Sequence, residues 1–231
     1  MSDSEEWLPP GDAAEQGHAL LANDPLEHDV RVREFFGDRF DVVNEFAMLL
    51  AVEGERRGLL GPREYDRLWE RHILNSAAVV PFLGTGVVAD VGSGAGLPGV
   101  VIAAMRPEQQ VYLVEPMERR AVWLRDVTRA LGLEHVEVVR GRAEEVGIVA
   151  DVVTARAVAA VDKLVKWCAP LLADGGSMAL LKGRSAADEV QRAKYALRKA
   201  RIEAEVVQAR TIEGIEPTTV VRLVHATSSP A

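Results

Sequence analysis

The chain has 231 residues, 48% of them hydrophobic, enough for one substantial core with an accessory segment but short for two independent domains. No apolar run approaches the about 18 residues that cross a bilayer, and Met1 to Gln16 carries acids where a secretion signal needs bases, so a cytoplasmic protein without membrane contact is expected. One cysteine, Cys168, excludes an internal disulfide and a cysteine-rich zinc site, and no metal is expected.

The net charge of -8 argues against a polyanionic partner until its distribution is considered. Residues 1–29 hold eight acids (Asp3, Glu5, Glu6, Asp12, Glu15, Asp24, Glu27, Asp29) and no Lys or Arg; elsewhere acids and bases number 27 each. Local basic patches are therefore allowed. From Lys182 to Arg201 seven cations (Lys182, Arg184, Arg192, Lys194, Arg198, Lys199, Arg201) face Asp188 and Glu189. That stretch can hold a phosphate backbone, or it is a solvated helix face.

In chain order, residues 1–23 combine acids, Gly and Pro-Pro with little apolar periodicity and read as a disordered acidic tail. Residues 24–84 read as a helical cap: Phe35, Phe36, Phe40, Val43, Phe46, Leu49 and Leu50, then Leu68, Trp69, Ile73, Leu74 and Val79, recur at helical spacing, with a break near Gly58 to Pro62. From residue 85 to 226 strands alternate with helices in a catalytic domain, and 227–231 form a C-terminal tail. The strand runs are Val87 to Val91, Gln110 to Glu115, Val136 to Arg140, Asp151 to Ala155, Ser177 to Leu181, Ala204 to Arg210 and Thr219 to Val224. Helical patterns cover Pro98 to Met105, Met117 to Leu131, Val161 to Leu172 and Ala186 to Ala200. This predicts an α/β, Rossmann-like doubly wound fold: a mostly parallel seven-stranded sheet, a terminal antiparallel hairpin and an N-terminal helical extension. Its ligands sit beyond the carboxyl ends of the strands.

The informative motif is Asp90-Val91-Gly92-Ser93-Gly94-Ala95-Gly96-Leu97-Pro98-Gly99, placed after the first strand and before a helix. A dinucleotide fingerprint would put its third glycine at position 97, which is Leu97. Asp90 would repel a pyrophosphate but suits a ligand with a cationic amino group and a sulfonium, such as S-adenosylmethionine. Gly92, Ser93, Gly94, Gly96 and Leu97 would line that ligand. Glu115, ending the second strand, can accept two ribose hydroxyls, and backbone groups of Ala143 and Glu144 after the third can receive an adenine edge. The competing reading is a helix-start turn with surface acids.

The substrate is less legible. No Asn/Asp-Pro-Pro-aromatic signature follows the fourth strand, where Asp151 to Ala157 stands. Cys168 lies in a helical pattern and reads as a packing residue rather than a nucleophile. Arg156 and Lys182 remain, just past the fourth and fifth strands, and cations there suit a polyanion. Guanine N7 carries a free lone pair, so methylation there needs in-line positioning rather than a general base.

Arg71-His72-Ile73-Leu74-Asn75-Ser76, the loop from Asp90 through Gly99, Arg142-Ala143-Glu144-Glu145, Ala155-Arg156-Ala157 and Leu181-Lys182-Gly183 resemble the glucose-inhibited division protein B family over about Val30 to Val224. The resemblance implies a class I S-adenosylmethionine-dependent methyltransferase fold and N7 methylation of a guanine in small-subunit (16S) ribosomal RNA. It implies cofactor contacts from Gly92, Gly94, Glu115, Ala143 and Glu144. It puts Arg71, His72, Arg156, Lys182 and Arg222 near the RNA or target base, with Arg156 also beside the cofactor. The family often has Asp where Asn75 stands. The expected partner is ribosomal RNA or an assembled small subunit, bound by a monomer. A small-molecule methyltransferase, an NAD-dependent oxidoreductase and a non-catalytic RNA-binding module remain alternatives at this stage.

Overall fold

The computed structural model describes residues 10–225, with side chains from residue 13 onward. One sheet holds β1 (Val88–Val91), β2 (Val111–Val114), β3 (Val136–Val139), β4 (Ala150–Arg156), β5 (Leu172–Lys182), β6 (Ile202–Ala209) and β7 (Thr218–His225). The order is β3-β2-β1-β4-β5-β7-β6. The first five strands of that order run parallel, and β7 is antiparallel to both neighbours. Every predicted strand is present. The hairpin, however, inserts its second strand between β5 and β6. Val220 and Val221 of β7 are fully buried, whereas β6 exposes Glu203 and Glu205 on one face and Gln208 on the other. An edge position suits the charged strand and an interior one the apolar strand.

Alternation along the strands sends side chains into two cores. Val152, Ala179, Leu181 and Val220 pack on one face with the cap, α5 (Gly99–Met105) and α6 (Glu118–Ala130). Val153, Ala155, Met178, Leu180 and Val221 pack on the other with α7 (Val161–Cys168) and α8 (Ala186–Lys199). The helix expected through Leu172 stops at Cys168 and passes into a 3-10 turn, Ala169–Leu171. Pro170 has no N–H to continue an α-helical ladder. Cys168 is buried in this second core, where burial pushes its thiol up to about 12. It is inert packing at neutral pH.

The cap shares its core with the sheet rather than forming its own. Its elements are α1 (Pro10–Leu20), α2 (Val30–Phe36), α3 (Phe40–Gly54), a π-helical turn (Trp69–Leu74) and α4 (Asn75–Ala77). The expected tail is corrected here. Pro10–Leu20 is helical and lies along α3, with Ala13 and Leu21 fully buried. Residues 1–9 and 227–231, also expected to be tails, lie outside the described residues. Two of the acids counted above are structural rather than solvated: Asp24 and Glu27 are 4% and 6% exposed. Asp24 Oδ2 accepts the Trp69 N–H (2.9 Å) and Glu27 Oε2 accepts the Trp69 indole N–H (2.6 Å). Both carboxylates therefore hold the start of the π turn, which composition alone cannot reveal. Among the described residues no helix is long and apolar enough to cross a membrane.

Candidate active site

The glycine loop leaves β1 and turns back into α5. Gly92, Gly94 and Gly96 all have positive φ (72°, 54° and 97°), a region that side chains disfavour. At Gly99 the constraint is space instead: a Cβ would lie 2.6 Å from Asp90 Oδ2 and 2.2 Å from Leu113 Cδ2. That closeness lets the Gly99 N–H donate to Asp90 Oδ2 at 3.0 Å. Asp90 is completely buried, and its Oδ1 has no partner among the described residues. Burial raises its carboxyl to about 7, against the opposing pull of the Ser93 side chain, the Gly99 hydrogen bond and the Arg156 charge. An unsatisfied buried acceptor costs about 1–3 kcal/mol, so a cationic donor reaching Oδ1 would be strongly favoured.

Glu115 follows β2 and is 2% exposed. Its Oε2 accepts the Gly94 N–H (2.9 Å) and its Oε1 the Met117 N–H (2.8 Å). The carboxylate thus ties the glycine loop to the turn before α6, while each oxygen keeps a lone pair for a further donor. A cleft of about 450 Å³ lies beside it, lined by Gly92, Gly94, Glu115, Met117, Arg120 and Arg156 among others. It shares Gly92, Pro116, Met117 and Val158 with a second hollow of about 390 Å³ that reaches Ala143, Glu144 and Trp167. The two form one trough across the ends of β1, β2 and β3. Its first half mixes polar groups such as Glu115 and Arg120 with apolar ones; its second, with Met117, Ala143, Val158 and Trp167, can sandwich a flat ring.

Sequence reading missed Met117, Arg120, Val158 and Trp167 as trough residues. Met117 and Val158 are 41% and 37% exposed, and an exposed large apolar side chain is the informative observation. No letter pattern gave that exposure. Ala157 carries part of the reason: its φ of 55° is one of two positive values at non-glycine residues among those described. Such a conformation costs about 1–3 kcal/mol and is held by its surroundings. It lays Val158 over Gly92, where a Cβ on the glycine would meet the valine at 2.7 Å.

A third cavity, about 540 Å³, opens beyond β4 and β5 between Asn75, Arg156, Val158, Lys182, Glu189 and Arg192. Arg156 and Val158 line both this cavity and the trough. The Arg156 guanidinium donates to Arg71 O (3.2 Å), and both of its terminal nitrogens lie 3.3 Å from His72 Nδ1. His72 Nε2 is 2.9 Å from Glu64 Oε2. Arginine only donates, so Nδ1 must accept, and the ring proton sits on Nε2 facing Glu64. Burial first, then the Arg156 charge, hold His72 below its ordinary value, against the pull of Glu64. Burial also draws Arg156 down to about 10, which leaves it cationic at neutral pH. Arg71 itself is half-exposed, 3.8 Å from Glu64. Glu64 was not picked out from the sequence; it lies in a 3-10 turn eight positions before His72, with no spacing signal.

Lys182 is placed as expected but is not free. Its ammonium donates to Ala159 O (2.7 Å) and pairs with Glu189 (2.7 Å), with the side chain 8% exposed. Glu189 also accepts the Val161 N–H and the Ser185 hydroxyl. Burial opposes its charge, but these hydrogen bonds, led by Lys182, hold its carboxyl below the usual range. Lys182 thus braces the loop after β4 instead of projecting into solvent. Asn75 donates to the Thr218 hydroxyl (3.0 Å). Arg222 lies mid-strand in β7, paired with Glu205 and over the Phe82 ring, away from all three cavities. Alternation turns it onto the cap side of the sheet, so the structure does not bring it together with Arg156 and Lys182.

The family model for rRNA small subunit methyltransferase G matches residues 40–215. The chain belongs to this family. A relative from Leifsonia xyli, "Ribosomal RNA small subunit methyltransferase G", is 50% identical over 177 residues, 75% of this chain and 85% of that protein. One of the same name from Thermobifida fusca is 48% identical over 200 residues, 85% of this chain and 84% of its own. Among solved structures, a SAM-dependent methyltransferase from Aquifex aeolicus superimposes with a TM-score of 0.53 at 18% identity, covering 70% of this chain and 95% of that one. At that identity the likeness concerns the fold. The match to the methyltransferase G family starts at Phe40, so it covers the glycine loop, Glu115, Arg156 and Lys182 but not Asp24 or Glu27.

Proposed function

We infer that this chain is a cytoplasmic, monomeric enzyme that transfers a methyl group from S-adenosylmethionine to N7 of a guanine in small-subunit ribosomal RNA. The observation that carries the reading is Asp90: a buried carboxylate with one unpartnered oxygen, at a glycine loop whose spacing does not suit a pyrophosphate. It fits the cationic amino end of this cofactor. Family membership supports the substrate class.

S-adenosylmethionine supplies an electrophilic sulfonium methyl. Asp90 and the loop residues Gly92, Ser93, Gly94, Gly96 and Leu97 hold its amino-acid end. Glu115 takes the ribose hydroxyls, and the hollow with Ala143 and Glu144 takes the adenine. Arg156, shared by trough and third cavity, stands where the cofactor and the target base meet. His72 and Arg71 fix its guanidinium, which steadies O6 of a guanine or its phosphate. Lys182 shapes the base cavity by holding Ala159. Transfer to guanine N7 would use that nitrogen's own lone pair and break the sulfonium S–methyl bond, with S-adenosylhomocysteine leaving as the neutral thioether, so these residues would orient and exclude water and need not remove a proton.

The test is transfer of labelled methyl from S-adenosylmethionine to small ribosomal subunits from a strain lacking this gene, followed by nucleoside digestion. The expected product is 7-methylguanosine. Cofactor binding without label in RNA would overturn the substrate assignment, and a labelled nucleoside other than 7-methylguanosine would overturn the N7 assignment.

A further inference from the structure

The basic stretch along α8 is not absorbed by the site above. Between Val190 and Ile202 the chain has five cations (Arg192, Lys194, Arg198, Lys199, Arg201) and no acid. All five are exposed, and among the described residues none is in an ion pair. Glu189, the nearest acid before them, is turned inward onto Lys182. Ala186, Ala193 and Leu197 supply the face that packs on the sheet. On the opposite side Tyr195 is 78% exposed.

Helical spacing places Arg192 one turn before Tyr195 and Arg198 and Lys199 one turn after it. Arg192 to Lys199 spans about 10 Å at 1.5 Å per residue. Arg198 and Lys199 sit in the last turn, where cations also complement the helix dipole; Arg192 and Lys194, farther in, and the exposed ring have no such reason. At its near end the stripe is continuous with the base cavity, because Arg192 lines that cavity together with Arg156 and Lys182.

We propose that this face of α8 is a second RNA-contact surface, on which Tyr195 stacks against an unpaired base of the strand leaving the target cavity while Arg192, Arg198 and Lys199 take its phosphates. The assignment rests on the RNA substrate inferred above. Five cations with no carboxylate among them favour a polyanion over a protein partner. Stacking on an aromatic ring is sequence-tolerant, so the surface adds grip without having to read a base.

The test uses the full chain with small subunits and with naked 16S RNA from the strain lacking this gene. Tyr195→Ala is expected to weaken binding to both about 5- to 100-fold, and Tyr195→Phe to restore it. Arg198→Ala with Lys199→Ala is expected to lower the slope of log affinity against log salt by about 0.7 for each phosphate that the protein no longer neutralises. Cofactor affinity stays at the unsubstituted level. Arg129→Ala, in the last turn of α6 beside β3, is the charge control and leaves binding and the salt slope unchanged. Unaltered binding and salt slope would overturn the proposal, as would weaker binding to assembled subunits but not to naked RNA, which would assign the face to a ribosomal protein. Failure of the unsubstituted protein to methylate subunits at all would instead remove the functional reading on which this one rests.

Discussion

His72 meets Arg156 through a single ring nitrogen: both guanidinium ends lie 3.3 Å from Nδ1, and Nε2 is committed to Glu64 at 2.9 Å. The π turn carrying His72 and the end of β4 carrying Arg156 are thus joined by a contact that exists only while the imidazole is neutral. Protonation would put an N–H against the guanidinium.

The first prediction follows from that contact. Glu64→Gln leaves the fold and cofactor affinity intact but lowers RNA methylation about 10-fold, the effect of weakening a hydrogen bond that fixes a charged group. His72→Ala lowers it further. The folded histidine is held below its ordinary 6.5, so the native state resists protonation more than the unfolded chain does. Stability from this group is therefore present above about 6.5 and is lost as pH falls toward the folded value. Steady-state rates with cofactor affinity measured alongside check the first point, and denaturant unfolding across pH checks the second. Equal loss of RNA turnover and cofactor affinity in Glu64→Gln would move this chain of residues out of the RNA side of the site.

Asp90 gives the opposite sign. Its folded value of about 7 lies above the ordinary 3.8, so between these values the native state holds a proton that the unfolded chain has released. Stability of the ligand-free protein falls as pH rises through that window and levels off above it. The ionised form is the one that attracts the cofactor's amino group. Affinity for S-adenosylmethionine should thus rise about fivefold between about pH 6 and about pH 8, the gain from Asp90 ionisation being partly offset as the ligand's own α-amino group starts to lose its proton, and Asp90→Asn should remove the rise. Calorimetry at the two pH values decides; a flat profile in the unsubstituted protein would reject the pairing.

Glu115 has two jobs that substitutions can separate. Glu115→Ala removes the ribose acceptor and also the brace between Gly94 and Met117, so cofactor affinity should drop and thermal stability with it. Glu115→Gln keeps the shape and one acceptor but turns an amide N–H₂ toward a backbone N–H. Its loss in affinity, about 10- to 100-fold for a missing charge-assisted hydrogen bond, should be nearly as large. Unchanged affinity in both variants would leave Glu115 as a brace alone.

Lys182 and Glu189 are both largely buried, so removing one leaves an uncompensated charge. Lys182→Met should destabilise the protein by about 3–5 kcal/mol. Adding Glu189→Gln should recover part of that, because Gln can still accept from Val161 and Ser185. Denaturant unfolding of the single and double variants measures the coupling. Additive losses would show that the pair does not act as a unit.

Much of this molecule was legible in its letters. Alternation of β-rich runs and helical periods located all seven strands, and the spacing from Asp90 to Gly99 argued against a dinucleotide loop, because period and glycine placement are local properties of the chain. Arg156 and Glu115 were found by the same logic, as polar residues at the ends of apolar strands. The helix at Pro10–Leu20 was not found, since its few apolar positions become meaningful only against α3, and Asp24 and Glu27 looked like solvated charge until the Trp69 amide and indole stood beside them. Lys182 looked free for the same reason: its partners Ala159 and Glu189 come from other elements. The sequence by itself determined the strands, the sheet class and the glycine loop through short-range pattern. Only the tertiary structure decided which charges are paired and which are free, because pairing depends on distances between residues far apart in the chain.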